Sequence, residues 1–586
     1  MSSNPELAAR FHEAAAIMEI TGANAFRINA ITRVAGIIDD LPAPLTAAEG
    51  DPKELAKLDG IGKSSAEKIA EFIATGTITE FDELRAAIPE GLIDVLGLPG
   101  LGPKTVKTLW EKGGVTDIET LEAKIESGEL ESLPRMGRKT LANIKDAIDF
   151  SRRSSGRIRL GQALPLAEAI VGRLSNASGV TKIAFAGSLR RGRETIGDID
   201  VLVAARDPEA PTEALTSLPG VEKVLLSGQT KTSVRLDLGI QVDLRVVPEE
   251  QFGAALLYFT GSKEHNVVLR EIAISRSMRL NEYGLFPDDG EAEPPQKRGI
   301  TPLAAETEQD IYEALGLRLL PPELREDRHP GDWTNLEDLV TLESIKAELH
   351  AHTTASDGVM SLEELIEQAR KRGFHTLAVT DHSKSSVQAN GLSVDRLLRQ
   401  IDEIREANER FDDITVLAGS EVDIMADGSL DYEDDLLAQL DWVVASPHAS
   451  LRQDPETATR RLLAAIEHPL VHVIGHPTGR IINERAGLNP DMRALCSAAH
   501  AHRTGLELNA NPARLDLRDA HVRLAMECST LVPIDTDAHH PGDFELLRYG
   551  ICTARRGGLT RAACPNCWDH DPLHEWIRSK REPGGS

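Results

Sequence analysis

The stretch "FAGSLRRGRETIGDID", residues Phe185 to Asp200, sets three arginines beside two aspartates one residue apart. Asp198 and Asp200 stand at i and i+2, so on a strand both side chains point to the same face. Two adjacent carboxylates repel unless cations lie between them, the arrangement of a two-metal phosphoryl-transfer site. The Gly187-Ser188 turn offers backbone amides and a hydroxyl to phosphate, and Arg190, Arg191 and Arg193 offer guanidinium donors suited to a triphosphate. A third carboxylate is needed; Asp243 in "QVDLRVV" (241–247) is the choice on a second strand, with Asp237 as its rival. The Asp-x-Asp pair alone also occurs in solvated loops, but a Gly-Ser turn, a basic run and a later strand aspartate together favour catalysis.

Working outward, 586 residues exceed one hydrophobic core, and three or four domains are expected. With 41% hydrophobic and 27% charged residues the chain reads as globular. No run approaches the roughly eighteen apolar residues that span a bilayer. The N-terminus lacks a secretion pattern, and the five cysteines (Cys496, Cys528, Cys552, Cys564, Cys567) suggest no disulfide framework. A cytoplasmic location without membrane contact is expected. The formal charge is −28, divided as −7 over residues 1–155, −4 over 156–320 and −17 over 321–586. The acidity thus belongs mostly to the last part, where cation ligands would use it. A nucleic-acid binder with this balance relies on local basic clusters and backbone amides, and binds weakly at high salt.

Residues 1–150 keep helical spacing punctuated by Gly-x-Gly turns. "LDGIGKSSAEKIAEFI" (58–73) and "LPGLGPKTVKTLWEKGG" (98–114) share one plan: an apolar residue, Gly-x-Gly, a lysine and a helix start. Gly60, Gly62 and Lys63 in the first copy, and Gly100, Gly102 and Lys104 in the second, are placed to hold a DNA phosphate by free amides and charge. A third copy, "LPRMGRKTLANIKDAI" (133–148), has Arg135 in place of its first glycine. One copy alone is also a plain tight turn; three favour a sequence-independent helix-hairpin-helix grip. Around 183–186 and 199–204 the pattern becomes that of a small mixed sheet. After a polar loop (286–302) and a linker (320–335), short apolar runs alternate with helical segments, as in a βα barrel with its chemistry at the strand ends.

"GSLRRGRETIGDIDVL" (187–202) and "VDLRVVPEEQFGAALLYFTGSKEHNVVLR" (242–270) resemble the family X DNA polymerases, relatives of eukaryotic DNA polymerase beta, over about the first 320 residues. The resemblance implies a helical lyase-like domain with a helix-hairpin-helix over 1–85, fingers over 86–155, a nucleotidyltransferase palm with a small mixed sheet over 156–250 and a nucleotide-selecting thumb over 251–320. It implies Asp198, Asp200 and Asp243 as ligands of Mg2+ or Mn2+, with Gly187, Ser188, Arg191 and Gly197 at the triphosphate of an incoming dNTP. Tyr258, Phe259 and Gly261 would lie under the sugar and Asn266 near the base edge, with Lys263 beside the nucleotide. "GIGKSSAEKIAEF" (60–72) is similar to the lyase domain of the same family, which puts Lys68 at its Schiff-base position, although Ser64 stands where a lysine is expected. The DNA implied is gapped or nicked.

The last third raises a question about histidines. "ELHAHTTASDG" offers His350, His352 and Asp357, and "VTDHS" offers His382. "AGSEVDI" offers Glu421, "ASPHAS" His448, "IGHPTG" His476, and "DTDAHH" Asp537 and His539. Imidazole with carboxylate at successive strand ends suits zinc, manganese or iron, and nine ligands suffice for three metals. This part resembles the PHP (polymerase and histidinol phosphatase) domain, which implies a distorted seven-stranded βα barrel over 344–586, after a linker at 321–343. All nine ligand positions of that family are present. A PHP domain fused to a family X polymerase implies a metal-dependent 3′–5′ exonuclease, with abasic-site or 3′-phosphate side activities in some members. Arg480 is placed to grip a substrate phosphate. Cys564-x-x-Cys567 with His570 and His574 reads as an incidental cluster rather than a zinc site.

The expectation is therefore a DNA repair enzyme with two active sites, for which a monomer suffices. The alternatives are a nucleotidyltransferase acting without template beside a small-molecule PHP phosphatase, and a DNA-binding scaffold with one live site.

Overall fold

The computed structural model describes residues 4–39, 52–55, 61–98, 101–134, 136–137, 140–142, 144–145, 148, 156–291, 293–326, 329–333 and 335–581. Two compact units result: residues 1–155 with 483–485, and residues 156–482 with 486–586.

The first unit is helical. Its helices Asn4–Thr21, Ala25–Asp39 and Lys63–Thr75 enclose a core of Leu7, Phe11, Met18, Val34, Ile69 and Phe72. Phe11 meets Phe81 edge to face at 4.9 Å, the offset that aromatic quadrupoles prefer. A second core holds Leu92, Val106, Leu109 and Leu121, from Leu92–Leu96, Pro103–Gly113 and Ile118–Glu126. Each Gly-x-Gly turn delivers an exposed helix start: Gly62 is extended before Lys63–Thr75, and Gly102 before Pro103–Gly113. Proline costs nothing there, because the first-turn N–H has no partner within the helix.

The second unit opens with the small mixed sheet. Its strands are β1 (Ile158–Arg159), β2 (Val180–Phe185), β3 (Thr195–Ile196), β4 (Asp198–Ala205), β5 (Val221–Ser227), β6 (Lys231–Leu236) and β7 (Gln241–Val247). β1 pairs with β3, and the main sheet runs β2-β4-β7-β6-β5 with β4 parallel to β7. β4 is buried on both faces by strict alternation. Ile199, Val201 and Val203 pack into one cluster with the helix Leu160–Leu174, while Leu202 and Ala204 pack with Phe252, Ala255 and Leu256. Asp198 and Asp200 share the parity of Leu202 and Ala204, so they stand on the face covered by the helix Phe252–Thr260. That helix, Lys263–Ser275, the hairpin β8 (Met278–Asn281) and β9 (Gly284–Pro287), and Glu308–Ala314 enclose a further core around Leu257, Leu269, Ile311 and Tyr312.

The barrel follows. β10 (Ala347–Ala351), β11 (Thr376–Val379), β12 (Thr415–Asp423), β13 (Trp442–Ser446), β14 (Val473–Ile474) and β15 (Gly505–Leu506) form one parallel sheet in chain order. β16 (Leu508–Asn509) continues past Glu507 and pairs with β17 (Ile534–Asp535), and a parallel bridge from Ala351 to Ala538 brings the chain back to β10. Counting β15 and β16 as one interrupted strand, seven positions curl into a ring. Its interior is filled by Ala347, Leu349, Leu417, Trp442, Val444 and Val473, closed at the strand starts by Leu573, Trp576 and Ile577 of the helix His570–Ser579. The outer strand faces pack on helices such as Leu362–Lys371 and Val394–Arg410.

The palm sheet and the barrel share a core. Ile482, Leu515 and Tyr549 of the barrel join Leu160, Ile199, Val201 and Leu244 in a single apolar cluster. No described helix is long and apolar enough to cross a membrane.

Candidate active sites

The parallel register of β4 and β7 sets Asp200 directly opposite Asp243, and Asp198 opposite Gln241. Burial, then the negative charges of Asp198 and Asp243, push the Asp200 carboxyl up to about 6. Asp243 sits below the usual carboxylate range. Burial raises it, but Lys231 donates at 2.7 Å and Gln241 at 2.8 Å, and Ser233 adds a third hydrogen bond. Gly187 has φ of +63°, and a Cβ there would lie 2.4 Å from Oδ2 of Asp200. Only glycine lets this turn rest on the carboxylate. Ser188 follows in the short helix Gly187–Arg190.

The arginines are placed differently from the sequence expectation. Arg190 makes two bonds to Glu308, at 2.8 and 2.7 Å, and one to Thr260 Oγ1. Arg191 bonds Glu326 at 3.1 Å and the carbonyl of Thr260 at 2.6 Å, and is 13% exposed. Both are thus held by carboxylates far along the chain. Arg193 remains about half exposed, 3.7 Å from Glu326. Arg157, which the sequence did not single out, packs against Gly197: a Cβ on that glycine would lie 2.9 Å from its Nη1.

On the thumb, Tyr258 and Phe259 meet edge to face at 5.1 Å, and the Arg245 guanidinium lies 4.1 Å from the Phe259 ring centre. Asn266 donates to the Tyr258 carbonyl at 2.7 Å. Gly261, at φ of +70°, lies against Arg191, with Nη1 of that arginine 3.2 Å from the Cβ position. Lys263 is exposed at the start of its helix, which Ser262 caps through the amide of His265. Buried His265 is pushed down to about 3, by burial and then by Arg325 and Arg191, and bonds the Tyr312 hydroxyl at 2.7 Å.

In the barrel all nine ligand candidates converge at the strand ends. Glu421 is the hub: His382 Nδ1 lies 2.8 Å from it, His476 Nε2 3.0 Å, His448 Nε2 3.1 Å and His350 Nε2 3.5 Å. Asp537 lies 2.9 Å from His352 Nε2 and 3.6 Å from His350 Nε2, and Asp357 lies 3.2 Å from His539 and 3.5 Å from His382. Three overlapping groups have all ligand atoms within 4.8 Å of one another: His352, Asp357, His382 and His539; His350, His352 and Asp537; and His382, Glu421 and His448. Buried His350 Nε2, both nitrogens of His352, His382 Nδ1, Glu421 Oε2, His476 Nδ1 and Asp537 Oδ1 have no hydrogen-bond partner. Buried polar atoms that crowd together without hydrogen-bond geometry are costly unless cations lie between them. The mix of imidazole and carboxylate donors fits zinc, manganese or iron.

Two residues that sequence reading missed orient this cage. Glu507 lies 2.6 Å from Nδ1 of His350, and Asp423 bonds Nδ1 of His448. Each fixes which nitrogen faces the centre. Asp423 carried a signal, standing two residues after Glu421 on the same strand; Glu507 sits in "GLELN", where nothing local distinguishes it. Arg480 is buried and paired with Glu194 at 2.7 Å.

In the helical unit, Gly62, Lys63, Gly102 and Lys104 are exposed at their two helix starts, whereas Gly60 and Gly100 lie outside the described residues. Lys68 is buried, and its ammonium donates to Ser64 Oγ at 2.8 Å and pairs with Glu80 at 2.9 Å. His570 and His574 stack at 4.1 Å at the barrel's far end, bonded to Thr415 and Thr376, and among the described residues no metal-capable group forms with Cys564 or Cys567.

Protein-family models match residues 2–78 (helix-hairpin-helix domain), 92–149 (SAM-like helix-hairpin-helix tandem), 255–326 (DNA polymerase beta thumb) and 348–510 (PHP domain). Among curated proteins, the chain is 38% identical over 547 residues to the DNA polymerase/3′-5′ exonuclease PolX of Bacillus subtilis, covering 93% of this chain and 94% of that protein. It is 26% identical to the DNA polymerase lambda of Arabidopsis thaliana, over 49% of this chain and 56% of that protein. It is also 26% identical to the DNA polymerase lambda of Rattus norvegicus, over 47% and 48%.

Proposed function

The chain belongs to the family of the DNA polymerase/3′-5′ exonuclease PolX, and from that premise we propose that it is a repair enzyme. It fills short gaps in DNA by template-directed nucleotidyl transfer at the palm and trims 3′ ends in the barrel. The observation that carries this reading is that one compact unit holds two separate carboxylate-centred sites, the Asp198, Asp200 and Asp243 trio and the nine-residue cage around Glu421.

At the palm, the three aspartates would hold Mg2+ or Mn2+, and the barrel cage would hold three ions of manganese, zinc or iron. Such cations polarise phosphoryl oxygens and acidify bound water. The chain's own residues supply the rest. Lys231, Gln241 and Ser233 fix Asp243, and the Gly187-Ser188 turn presents amides and a hydroxyl beside Asp200. Arg191 binds the triphosphate once it exchanges Glu326 for phosphate, and Gly197 lines the same triphosphate site. Tyr258, Phe259 and Gly261 back the sugar, Asn266 approaches the base edge, and Lys263 reaches the nucleotide from its exposed helix start. In the barrel, Glu507 and Asp423 orient His350 and His448.

Gly62, Lys63, Gly102 and Lys104 grip DNA phosphates in the helical unit. Lys68 acts as a lyase nucleophile only if Glu80 releases it. The reading divides the chain at 85, 155, 250, 320 and 343, and takes it to act as a cytoplasmic monomer on gapped or nicked DNA and dNTPs.

The test uses a 5′-labelled primer on a one-nucleotide-gapped duplex with manganese. One added nucleotide with dNTPs, and a shortening ladder without them, are expected. Shortening alone would reduce the palm to a DNA clamp and overturn the polymerase half.

A further inference from the structure

Three arginines, two from the palm and one from the barrel, converge on a single oxygen of Glu326. Its Oε1 lies 3.1 Å from Nε of Arg191 and 3.7 Å from Nη1 of Arg193, both on the turn that precedes the aspartate strand. It lies 2.8 Å from Nη1 of Arg556, a residue of the barrel. The Glu326 backbone is fixed as well, since the Ser262 hydroxyl donates to its carbonyl at 3.1 Å. The Glu326 side chain is 16% exposed, so its charge depends on these guanidinium groups more than on water. Arg193 is the most distant of the three and is about half exposed, which leaves Arg191 and Arg556 as the main partners.

Arg556 is held rigidly. It lies near the end of the barrel helix Leu547–Gly557 and is 4% exposed. Its Nε and Nη2 lie 2.9 and 2.8 Å from Oδ2 of Asp519, at the start of the helix Asp519–Glu527. Its Nη1 reaches across to the palm and donates to the Arg191 carbonyl at 2.6 Å. The palm turn is pressed onto the same barrel helix: Gly192 has φ of +65°, and a Cβ there would lie 3.1 Å from Cβ of Cys552. One barrel guanidinium therefore holds both the backbone of Arg191 and the carboxylate that its side chain occupies.

We infer that Arg556, a residue of the barrel, is a positioning residue for nucleotide addition at the palm. The inference rests on the reading above that Arg191 leaves Glu326 for the triphosphate of a dNTP. Removing one partner from a secluded ion pair is costly because the other charge is left uncompensated. Arg556 removes that cost: when Arg191 departs, Glu326 keeps a guanidinium at 2.8 Å. Meanwhile the bond to the Arg191 carbonyl keeps the backbone of the departing side chain in place. Arg556 touches no nucleotide and acts only through Arg191 and Glu326. The barrel thus serves the adding site through one side chain, independently of its own histidine cage.

The experiment measures kcat and KM for dNTP addition to a one-nucleotide-gapped duplex with manganese, using the full chain, with digestion of single strands as the check on folding. Arg556→Met should raise KM about tenfold, the worth of one charged hydrogen bond, with kcat within about twofold and digestion unchanged. Adding Glu326→Gln to Arg556→Met should return KM to within about threefold of wild type, because the charge that recaptures Arg191 is gone. A merely structural arginine would show no such rescue. A wild-type KM in Arg556→Met would overturn the inference, and so would a raised KM that persists in the double variant. Should Arg556→Met fail to fold, Glu326→Gln alone decides: KM is expected to fall about threefold as Arg191 loses its competing carboxylate, and an unchanged or higher KM would overturn the inference. A different result would sink the reading beneath it: a wild-type KM in Arg191→Ala would remove Arg191 from the triphosphate.

Discussion

The palm trio and the barrel cage solve opposite electrostatic problems. In the palm, three carboxylates meet on adjacent strands, Lys231 pairs with Asp243, and Asp200 is pushed up to about 6. In the barrel, histidines interleave with every carboxylate. Against burial, Glu421 and Asp537 are held well below the usual range, while His382 is pushed up to about 11 and His448 and His539 to about 9. The first site is short of positive charge, as suits cations that arrive with a triphosphate. The second balances its carboxylates with histidine protons, which imidazole must release before it can hold a cation. The same contrast appears in access: Asp198 is exposed, whereas His350, His352 and His476 are fully buried.

The sharpest way to break the comparison is to disable each site alone. Asp200→Ala should lower nucleotide addition by at least about 10³-fold and leave digestion intact, and His352→Ala should do the reverse, because each loses several kcal/mol of charge stabilisation. A single substitution that removed both activities would show the sites to be interdependent.

A gentler pair of changes tests the glycines that press on each site. Gly187→Ala drives a Cβ into Asp200, and Gly475→Ala places one 2.3 Å from Ser446 Oγ and 3.5 Å from the His350 ring. Each should reduce its own activity by about 10–100-fold, as displacements near 1 Å do.

Removing metals separates the two by stability. With manganese at about 100 times its Kd, the gain of about 2.7 kcal/mol should raise the Tm of the unit holding both sites by roughly 3 °C after chelator-treated protein is reloaded. His352→Ala should lose that gain and Asp200→Ala keep it, as scanning calorimetry would register.

Acid should weaken the thumb first. His265, pushed down to about 3, contributes stability that is present above its unfolded value of 6.5 and lost as pH falls toward 3; from pH 7 to 5 the loss is about 2 kcal/mol. Glu308, pushed down to about 2 because Arg190 and Arg325 outweigh its burial, adds a further loss between 4.5 and 2. Urea unfolding at pH 7 and 5, followed by the Tyr312 environment, checks the sign. Substituting His265 by Gln should flatten the dependence.

The smallest effect belongs to Lys68. An ammonium paired with Glu80 must be freed before it can form an imine, so Glu80→Gln should increase borohydride trapping on abasic DNA several-fold, by about 1 kcal/mol at this partly exposed pair. Addition and digestion should not change.

The sequence by itself determined which residues are the candidates at both sites. Period two on a strand placed Asp198 and Asp200 on one face, the Gly187-Ser188 turn offered amides to phosphate, and strand ends carrying His or carboxylate suggested a cage, because each of these signals lies within a few residues. The helix-hairpin-helix turns were legible for the same reason. Only the tertiary structure decided what the arginines do. Glu308 and Glu326 lie 118 and 135 residues from Arg190 and Arg191 in the chain, so no local pattern could show that they occupy those guanidinium groups. It also decided that Asp200 faces Asp243, that Glu507 turns His350 inward, and that palm and barrel share a core through Ile482, Leu515 and Tyr549. Burial and charge pairing act between residues near in space, and a linear sequence does not contain those distances.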